Sequence, residues 1–520
     1  MNKLINKILN TSEKNIYRVI LFIFICSMLP VWYLGRFAVP SLDDYYFGIM
    51  PHQAWLAEHT LGSVIRGSLD MVKFYYEEKQ ATYTSIFIMA MSPSVINERF
   101  YFVTPLILTG MFIGSISVLV HVVISDCLGA KNKYLTGIAN LLLVFMAIQT
   151  ILVPLEALFW YNGGIHYVFM QSVLYFEIAT VLHFLNSNKK STRIGMLILG
   201  SFLGFLVGGG NLISGLQACI LGALLIMYFI LQMIAAKKDN AFIKMIGVGQ
   251  YIKENWLAAI PIAVTIAAYG ANALAPCNSL RAQVETQMNP IKAVINSFYW
   301  GAVYTFSWIN TMSVLVLVII TVIVWKLAKD TTKTFINPWV MAILSYCIFS
   351  AMLTPTWYAM SQDAPNRVKN IIGTARYIII FINIVNDCGY ARSKKEEAGV
   401  ISRVLGQTES SYKSIVIIGA VLVGLVFLLA ADKNTYTSMS ALRSVLTGEA
   451  SRYYSQSFER IDLYNDESMP DVVVKPLTDD AKPYLLFKED ISDKEGEEGY
   501  WQSVEISDYY GKNSITVSAE

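Results

Sequence analysis

What most constrains this chain is a recurrence of predominantly apolar stretches of about 20 residues, the length a helix needs to cross roughly 30 Å of hydrocarbon. They fall near 16–34, 101–124, 135–153, 167–187, 194–208, 212–236, 256–275, 306–328, 338–354, 371–389 and 414–431, about eleven in all. Backbone polar groups inside lipid must find partners within the protein, and a helix supplies them within one segment. The chain therefore reads as an all-α polytopic membrane protein. With 55% hydrophobic residues, 15% charged residues and a mean hydropathy of +0.47, its composition lies outside the soluble range.

Basic residues fix the expected orientation, because short Lys/Arg-rich loops stay on the cytoplasmic side. Lys3, Lys7 and Lys14 precede the first span. Later connections carry Lys131 and Lys133, then Lys189, Lys190 and Arg193, then Lys237 and Lys238. Further on come Lys326, Lys329 and Lys333, then Arg392, Lys394 and Lys395. All of them fall inside when the N-terminus is cytoplasmic. An odd number of spans then gathers the loops around Asp43, Trp160, Arg281 and Arg367 on the outer face, together with everything after residue 431. The expected division is a transmembrane domain, 1–431, with a large first outer loop at 35–100, and an extracytoplasmic domain, 432–520.

Beyond Asp432, acidic residues outnumber basic ones by about two to one, which suits a solvated outer appendage. Helical spacing runs from Ser440 to Leu463. Asp471–Val474, Pro483–Phe487 and Ser503–Ile506 read as short strands, giving a small α+β unit. A net charge of +2 offers no field to recruit nucleic acid. Six cysteines give no disulfide framework: Cys26, Cys219 and Cys347 sit within spans, Cys127 and Cys388 at the cytoplasmic end, and Cys277 has no outer partner. No small-residue cleavage site follows Trp32-Tyr33-Leu34-Gly35-Arg36, so the first span reads as an uncleaved anchor.

Candidate chemistry lies in the outer loops. Ser41-Leu42-Asp43-Asp44-Tyr45-Tyr46 sets a carboxylate pair just outside the first span, and Tyr75-Tyr76-Glu77-Glu78 follows in the same loop. Rings stack on apolar sugar faces and carboxylates bind hydroxyls; a carboxylate can also serve as general base toward an acceptor hydroxyl. Equally, Asp43 can cap the helix that follows. The second loop, Glu156 to Tyr167, packs Trp160, Tyr161, Asn162 and His166 around a Gly pair. Belt aromatics at this depth occur in any multi-pass protein, whereas Glu156 at a span end requires a partner or water.

Arg281 with Asn278, and Arg367 with Asn366, have the fork and neutral donors that grip a phosphate, or alternatively meet lipid headgroups. Gly208-Gly209-Gly210-Asn211 reads as a turn for close helix approach; no strand precedes it, as a phosphate loop requires.

Several of these segments resemble a known family. They are Ser41-Leu42-Asp43-Asp44-Tyr45, Ala81 to Phe87, Trp160 to Tyr167, Gly209-Gly210-Asn211, Asn272 to Arg281 and Tyr509-Tyr510-Gly511-Lys512. Together they resemble the signature segments of a family of uncharacterised bacterial multi-pass membrane proteins, whose members are described as similar to type C, glucosyltransferase-like enzymes. The resemblance covers nearly the whole chain. Two departures stand out: Cys277 where the family's pattern has Gly, and Glu78-Lys79-Gln80-Ala81 where a Trp-Gln-Gly approach is usual.

The resemblance implies a type C glycosyltransferase-like fold in a bacterial plasma membrane and transfer of a sugar from a polyprenyl-phosphate donor to an envelope acceptor: glycan, lipid or wall polymer. It implies Asp44, with Asp43 beside it, as base or metal ligand, Arg281 and Arg367 on the departing lipid phosphate, and Glu156, Trp160, Tyr161, Asn162, His166, Asn211, Asn278 and Asn366 around the substrate. Some type C enzymes use a divalent cation, and carboxylates with phosphate oxygens suit Mg2+ or Mn2+. Two other classes stay open. A transporter or flippase would place ionisable residues at the midplane, where Glu177 is the clearest instance, and would often carry inverted repeats, of which none is evident. A non-catalytic envelope scaffold would keep the fold alone.

Overall fold

The computed structural model describes residues 11–237, 255–284, 287–394 and 405–518 apart from 488, 493 and 498. Nine helices among them are long and apolar enough to cross a membrane, and Lys133–Gln149 and Tyr412–Leu428 are shorter apolar helices. Each lies within a few residues of an expected span. Thr311–Asp330 and Asn366–Ser393 are mostly buried against neighbours, whereas Glu13–Phe37 and Lys190–Gly208 leave most of their surface outward. A helix that is apolar all round has this choice only where its outer face meets lipid.

The helices alternate in direction, so their connections gather at two ends. At one end Asn132 donates to Glu13 (2.7 Å), Tyr412 also reaches Glu13, Lys333 reaches Asn186 (3.0 Å), and Arg392 and Lys329 meet Glu409 (3.2 and 3.0 Å). This is where the described basic connections converge; Lys3, Lys7, Lys238 and Lys395 lie outside the described residues. The other end collects the segments around Asp43, Trp160, Gly209, Asn272 and Arg367.

The expected loop 35–100 is itself helical. Asp43–Glu58 and Leu61–Glu78 form a hairpin, and Tyr83–Ala90 leads back toward the next span. The turn at Gly208–Gly210 closes on it: Thr84 N–H donates to Gly209 O (2.8 Å), and a Cβ on Gly209 would collide with the Tyr83 ring. Close helix approach is thus what the glycine run provides.

One helix lies outside the expected set. Pro290–Ser307 carries Lys292, Asn296 and Ser297, which hold its hydropathy below that of a span. Met288 just before it bonds Tyr358 O (3.0 Å), and Tyr304 near its end bonds Asp363, so both ends belong to the Asp43 end of the bundle.

The segment after Asp432 departs from expectation in detail. Its helical stretch is two helices, Thr437–Leu446 and Glu449–Tyr464, separated at Gly448, where φ of +76° breaks the run. Asp471–Val474 is a strand, but its partner is Ser514–Val517, paired in parallel with Val472 opposite Ile515. Pro483–Phe487 is irregular, and Ser503–Ile506 lies inside the helix Tyr500–Tyr510. The Ser-Val-Glu-Ile alternation mimics a strand, yet Gln502, Ser503, Ile506, Ser507 and Tyr509 bury one helical face.

This tail is seated on the bundle. Gln149 Nε2 donates to Ser438 Oγ (2.6 Å) while Ser438 N–H donates to Gln149 Oε1 (3.0 Å). Tyr509 inserts between loop-one elements. Its ring stacks on His52 with centroids 4.0 Å apart, its hydroxyl donates to Ser94 O (3.2 Å), and Gly48 leaves room for it, since a Cβ there would sit 2.8 Å from the ring. Tyr510 adds a bond to Glu98 (2.7 Å).

Candidate functional site

The two aspartates have opposite surroundings. Asp44 is 1% exposed, and its carboxyl accepts from the Tyr101 hydroxyl (2.5 Å), Ser41 N–H (3.1 Å) and Asn162 N–H (3.0 Å). Tyr101 Oη in turn accepts from Tyr161 N–H (2.9 Å), and Asn162 Nδ2 donates to Asp43 O (2.8 Å). Asp44 therefore clasps the first and second loops together. Burial pushes its carboxyl up to about 7, against the pull of Tyr101 and the two backbone donors.

Asp43 begins the helix Asp43–Glu58 but does not cap it. The preceding residue is Leu42, held at φ +53°, a conformation costly for a branched side chain and often retained beside functional groups. Among the described residues no donor bonds the Asp43 carboxylate. Burial raises its proton affinity, and the Arg367 guanidinium opposes that rise.

Arg367 is the hub of the site. It sits in the first turn of Asn366–Ser393 and interacts with Tyr167, Glu156 and Asp43. Glu156 belongs to a π-helical turn, Leu155–Phe159, and a second such turn, Ile165–Phe169, carries His166 and Tyr167; wide turns of this kind re-aim side chains. Burial raises the Glu156 carboxyl, the Arg367 charge and backbone N–H lower it, and Glu156 Oε2 has no protein partner.

A fourth carboxyl comes from the tail. Glu505, one helical turn before Tyr509, is brought to Asp43 by the tail. Burial first, and then the charge of Asp43, push it up to about 8, and its Oε2 is buried without a partner. Tyr46 and Tyr75, whose rings are 6.0 Å apart, complete this wall; burial first, with the charge of Glu505 adding to it, raises both hydroxyls. Reading 503–506 as a strand concealed Glu505; its i, i+4 spacing to Tyr509 was the available signal.

The remaining candidates are mostly structural. His166 Nδ1 pairs with Ser85 Oγ (2.8 Å) and Nε2 with Gln80 Nε2 (3.4 Å); because Ser85 donates onward to Thr82 O, the proton belongs on Nδ1. A ring engaged on both nitrogens ties loops together and leaves no free base. Asn211 is corrected from substrate ligand to helix cap: Oδ1 accepts from Ile213 and Ser214 N–H, and Nδ2 donates to His166 O (2.8 Å). Asn278 is corrected likewise, with Nδ2 committed to Asn272 O (2.8 Å) and Ala273 O (3.1 Å) at the end of Ala259–Ala273.

Tyr161 and Asn162 are buried, the former donating to Ile88 O (2.9 Å) and the latter serving the aspartate clasp. Trp160 is 3% exposed beneath Phe487 of the tail (centroids 5.3 Å), so its face cannot stack on a sugar while the tail is seated. Asn366 is exposed and bonds nothing in the site. Arg281 lies in the helix Pro276–Val284, but its side chain is outside the described residues.

Among the described residues no group of three or more His, Cys, Asp or Glu side chains is placed to hold a metal ion. What the cluster offers is one arginine faced by Asp43 and Glu156, with Glu505 and two tyrosines across from Asp43. It can draw a proton from a hydroxyl and can bind an anion at Arg367. No protein-family model, curated protein or solved structure matches the chain.

Proposed function

We propose that the chain transfers a sugar from a polyprenyl-phosphate donor to a cell-envelope acceptor on the outer face of a bacterial plasma membrane. The observation that carries this reading is the Asp43 carboxylate, which no described donor bonds and which is set opposite Arg367 at the end of the bundle away from the convergent basic connections. In this reading the nine long helices and two shorter ones make eleven crossings, with the N-terminus cytoplasmic and the tail outside.

Asp43, rather than Asp44, is the base. It takes the proton of the acceptor hydroxyl as that oxygen bonds the anomeric carbon, and the bond from that carbon to the phosphate oxygen breaks with its electron pair on the phosphate. Arg367 meets the charge developing there, a stabilisation larger in the transition state than in the bound donor. Asp44 and His166 keep the loops in register. The two departures from the family's pattern pack on one another, since Ala81 and Cys277 share a buried cluster beside Tyr76, which favours a specialised acceptor wall.

The test is mass spectrometry of surface glycans and of polyprenyl-phosphate sugars in a strain lacking the gene, complemented with native protein, Asp43→Asn or Asp44→Asn. Loss of one decoration with accumulation of its lipid donor, unrescued by an inserted Asp43→Asn protein, is the expected result. Unchanged glycans and donors would sink the proposal.

Transport of a lipid-linked or small polar substrate is the second reading, favoured by one observation. Glu177, 6% exposed within Tyr161–Asn186, accepts from Thr265 (2.6 Å) through Oε1 while Oε2 has no partner. An ionisable group at that depth is a functional candidate by default.

A further inference from the structure

Nine residues beyond Arg367, roughly 14 Å along the same helix at ~1.5 Å per residue, lies a second arginine that plays no part in the site described. Arg376 is 5% exposed. Its Nη1 donates to Tyr304 O (3.4 Å) and Thr305 O (3.3 Å), and its Nη2 to Trp308 O (2.8 Å), carbonyls around the C-terminal turn of the helix Pro290–Ser307, where Tyr304 O also accepts from Trp308 N–H (3.4 Å). Of the five N–H groups of a guanidinium, that leaves Nε–H, which is buried without an acceptor, and one on Nη2.

The charge is also incompletely answered. Among the described residues no carboxylate pairs with Arg376, and a helix C-terminus carries the equivalent of only about half a negative charge. Rings of Tyr377 and Trp308 lie 4.8 and 5.8 Å from the guanidinium carbon, and these groups border a cavity of about 220 Å3. At ~30 Å3 per water that is room for on the order of seven.

Asn310 adds two long, weak bonds from its Nδ2, to Tyr377 Oη (3.4 Å) and Trp308 O (3.5 Å), which a stronger acceptor in the cavity can displace. Ile151, Leu152 and Ile309 supply an apolar wall. A cavity rich in donors, poor in acceptors, cationic and half apolar calls for an oxyanion attached to a hydrocarbon. Arginine's Nε–Nη edge matches two phosphate oxygens at once.

We propose that the cavity beside Arg376 is a separate binding site for the phosphate of a membrane lipid. It does not depend on the transfer reading: the phosphate can be that of a polyprenyl carrier or of a phosphatidic acid headgroup, and both present the same terminal phosphate monoester. If transfer occurs at Asp43, the site lies about 14 Å from the carboxylate cluster along one helix, a resting place for a discharged carrier.

The experiment is native mass spectrometry of the full chain in detergent with polyprenyl phosphate, phosphatidic acid and phosphatidylcholine, using native protein, Arg376→Gln and Gly373→Leu. Gly373 lines the cavity one helical turn before Arg376, and a Cβ there makes ordinary contacts, 3.5 Å to Leu152 and 3.8 Å to Trp308. Gly373→Leu therefore fills the space while leaving the charge in place. Retention of the two phosphate monoesters by native protein, reduced at least tenfold in both variants, with phosphatidylcholine unaffected, supports the site. Preference for polyprenyl phosphate over phosphatidic acid then assigns the carrier, and equal retention assigns headgroups. Monoester binding undiminished in either variant, or no preference over phosphatidylcholine in native protein, overturns the inference, whatever the outcome of any transfer assay.

Discussion

Asp43 and Asp44 are adjacent and chemically identical, yet the structure assigns opposite consequences to their loss. Asp44→Ala strands two backbone N–H groups and the Tyr101 hydroxyl in a dry interior. At about 1–3 kcal/mol for each buried donor left unmet, the sum is about 3–9 kcal/mol, comparable to the whole stability of a folded domain. Asp44→Asn is gentler. Whichever way the amide is turned, its NH2 faces the N–H of either Ser41 or Asn162, a single conflict costing about 1–3 kcal/mol. Asp43→Asn removes no hydrogen bond and should stay within about 0.5 kcal/mol of native, while transfer falls by about 10²–10⁴ as a general base is lost. Denaturant midpoints of the detergent-purified proteins give the first quantity and donor turnover in membranes the second. An Asp44→Asn protein as stable as native but inactive, alongside an active Asp43→Asn, would refute the assignment of clasp and base.

Three further outcomes follow. Asp44 binds its proton more tightly in the folded chain, about 7 against an ordinary 3.8, so its contribution to stability is complete below 3.8 and is lost as pH rises through about 7; the span is on the order of 4 kcal/mol at 1.36 kcal/mol per unit. Unfolding midpoints between pH 4 and 8 should thus fall with rising pH in native protein and less steeply in Asp44→Asn, where Glu505 keeps part of the slope, and identical slopes would count against it. Tyr509→Ala removes the His52 stack and the bond to Ser94, about 3–5 kcal/mol of tail docking for an aromatic truncation; limited proteolysis should cut the last 50 residues or so several-fold faster than in native protein, and unchanged cleavage would show that the tail is held elsewhere. Arg367→Lys keeps the charge but loses the planar fork, and transfer should drop at least tenfold with stability little changed; full activity would mean that no phosphate is gripped there.

The apolar helices could be read from sequence because their length is set by the membrane rather than by tertiary detail. Asp43, Glu156 and Arg367 were legible as a group because charged residues at span ends are few, and the alternation of the spans placed them together. What each does was not. Asp44 and Asp43 differ only through Tyr101 and Asn162, 57 and 118 residues away, which no local pattern encodes. Asn211 and Asn278 looked like ligands because a polar residue near a turn has the same signature whether it binds substrate or caps a helix. Glu505 and Arg376 were invisible for opposite reasons: one lay in a segment whose alternation imitates a strand, the other in the middle of a span, where its partners are carbonyls of a helix with no span-like signal.

The Tyr509 plug has a consequence for biogenesis. The Ser94 carbonyl that it contacts is made 415 residues earlier, and at ~5–20 residues per second roughly 20–80 s separate the two. Through that interval the hairpin around Asp43 stands inserted without its cover, with Gly48 and His52 unroofed and Trp160 lacking Phe487. A chain cut short after the last apolar helix therefore leaves a threaded bundle whose carboxylate floor is uncovered, and chaperones or proteases that survey exposed aromatic surface have a built-in mark of incompleteness to recognise.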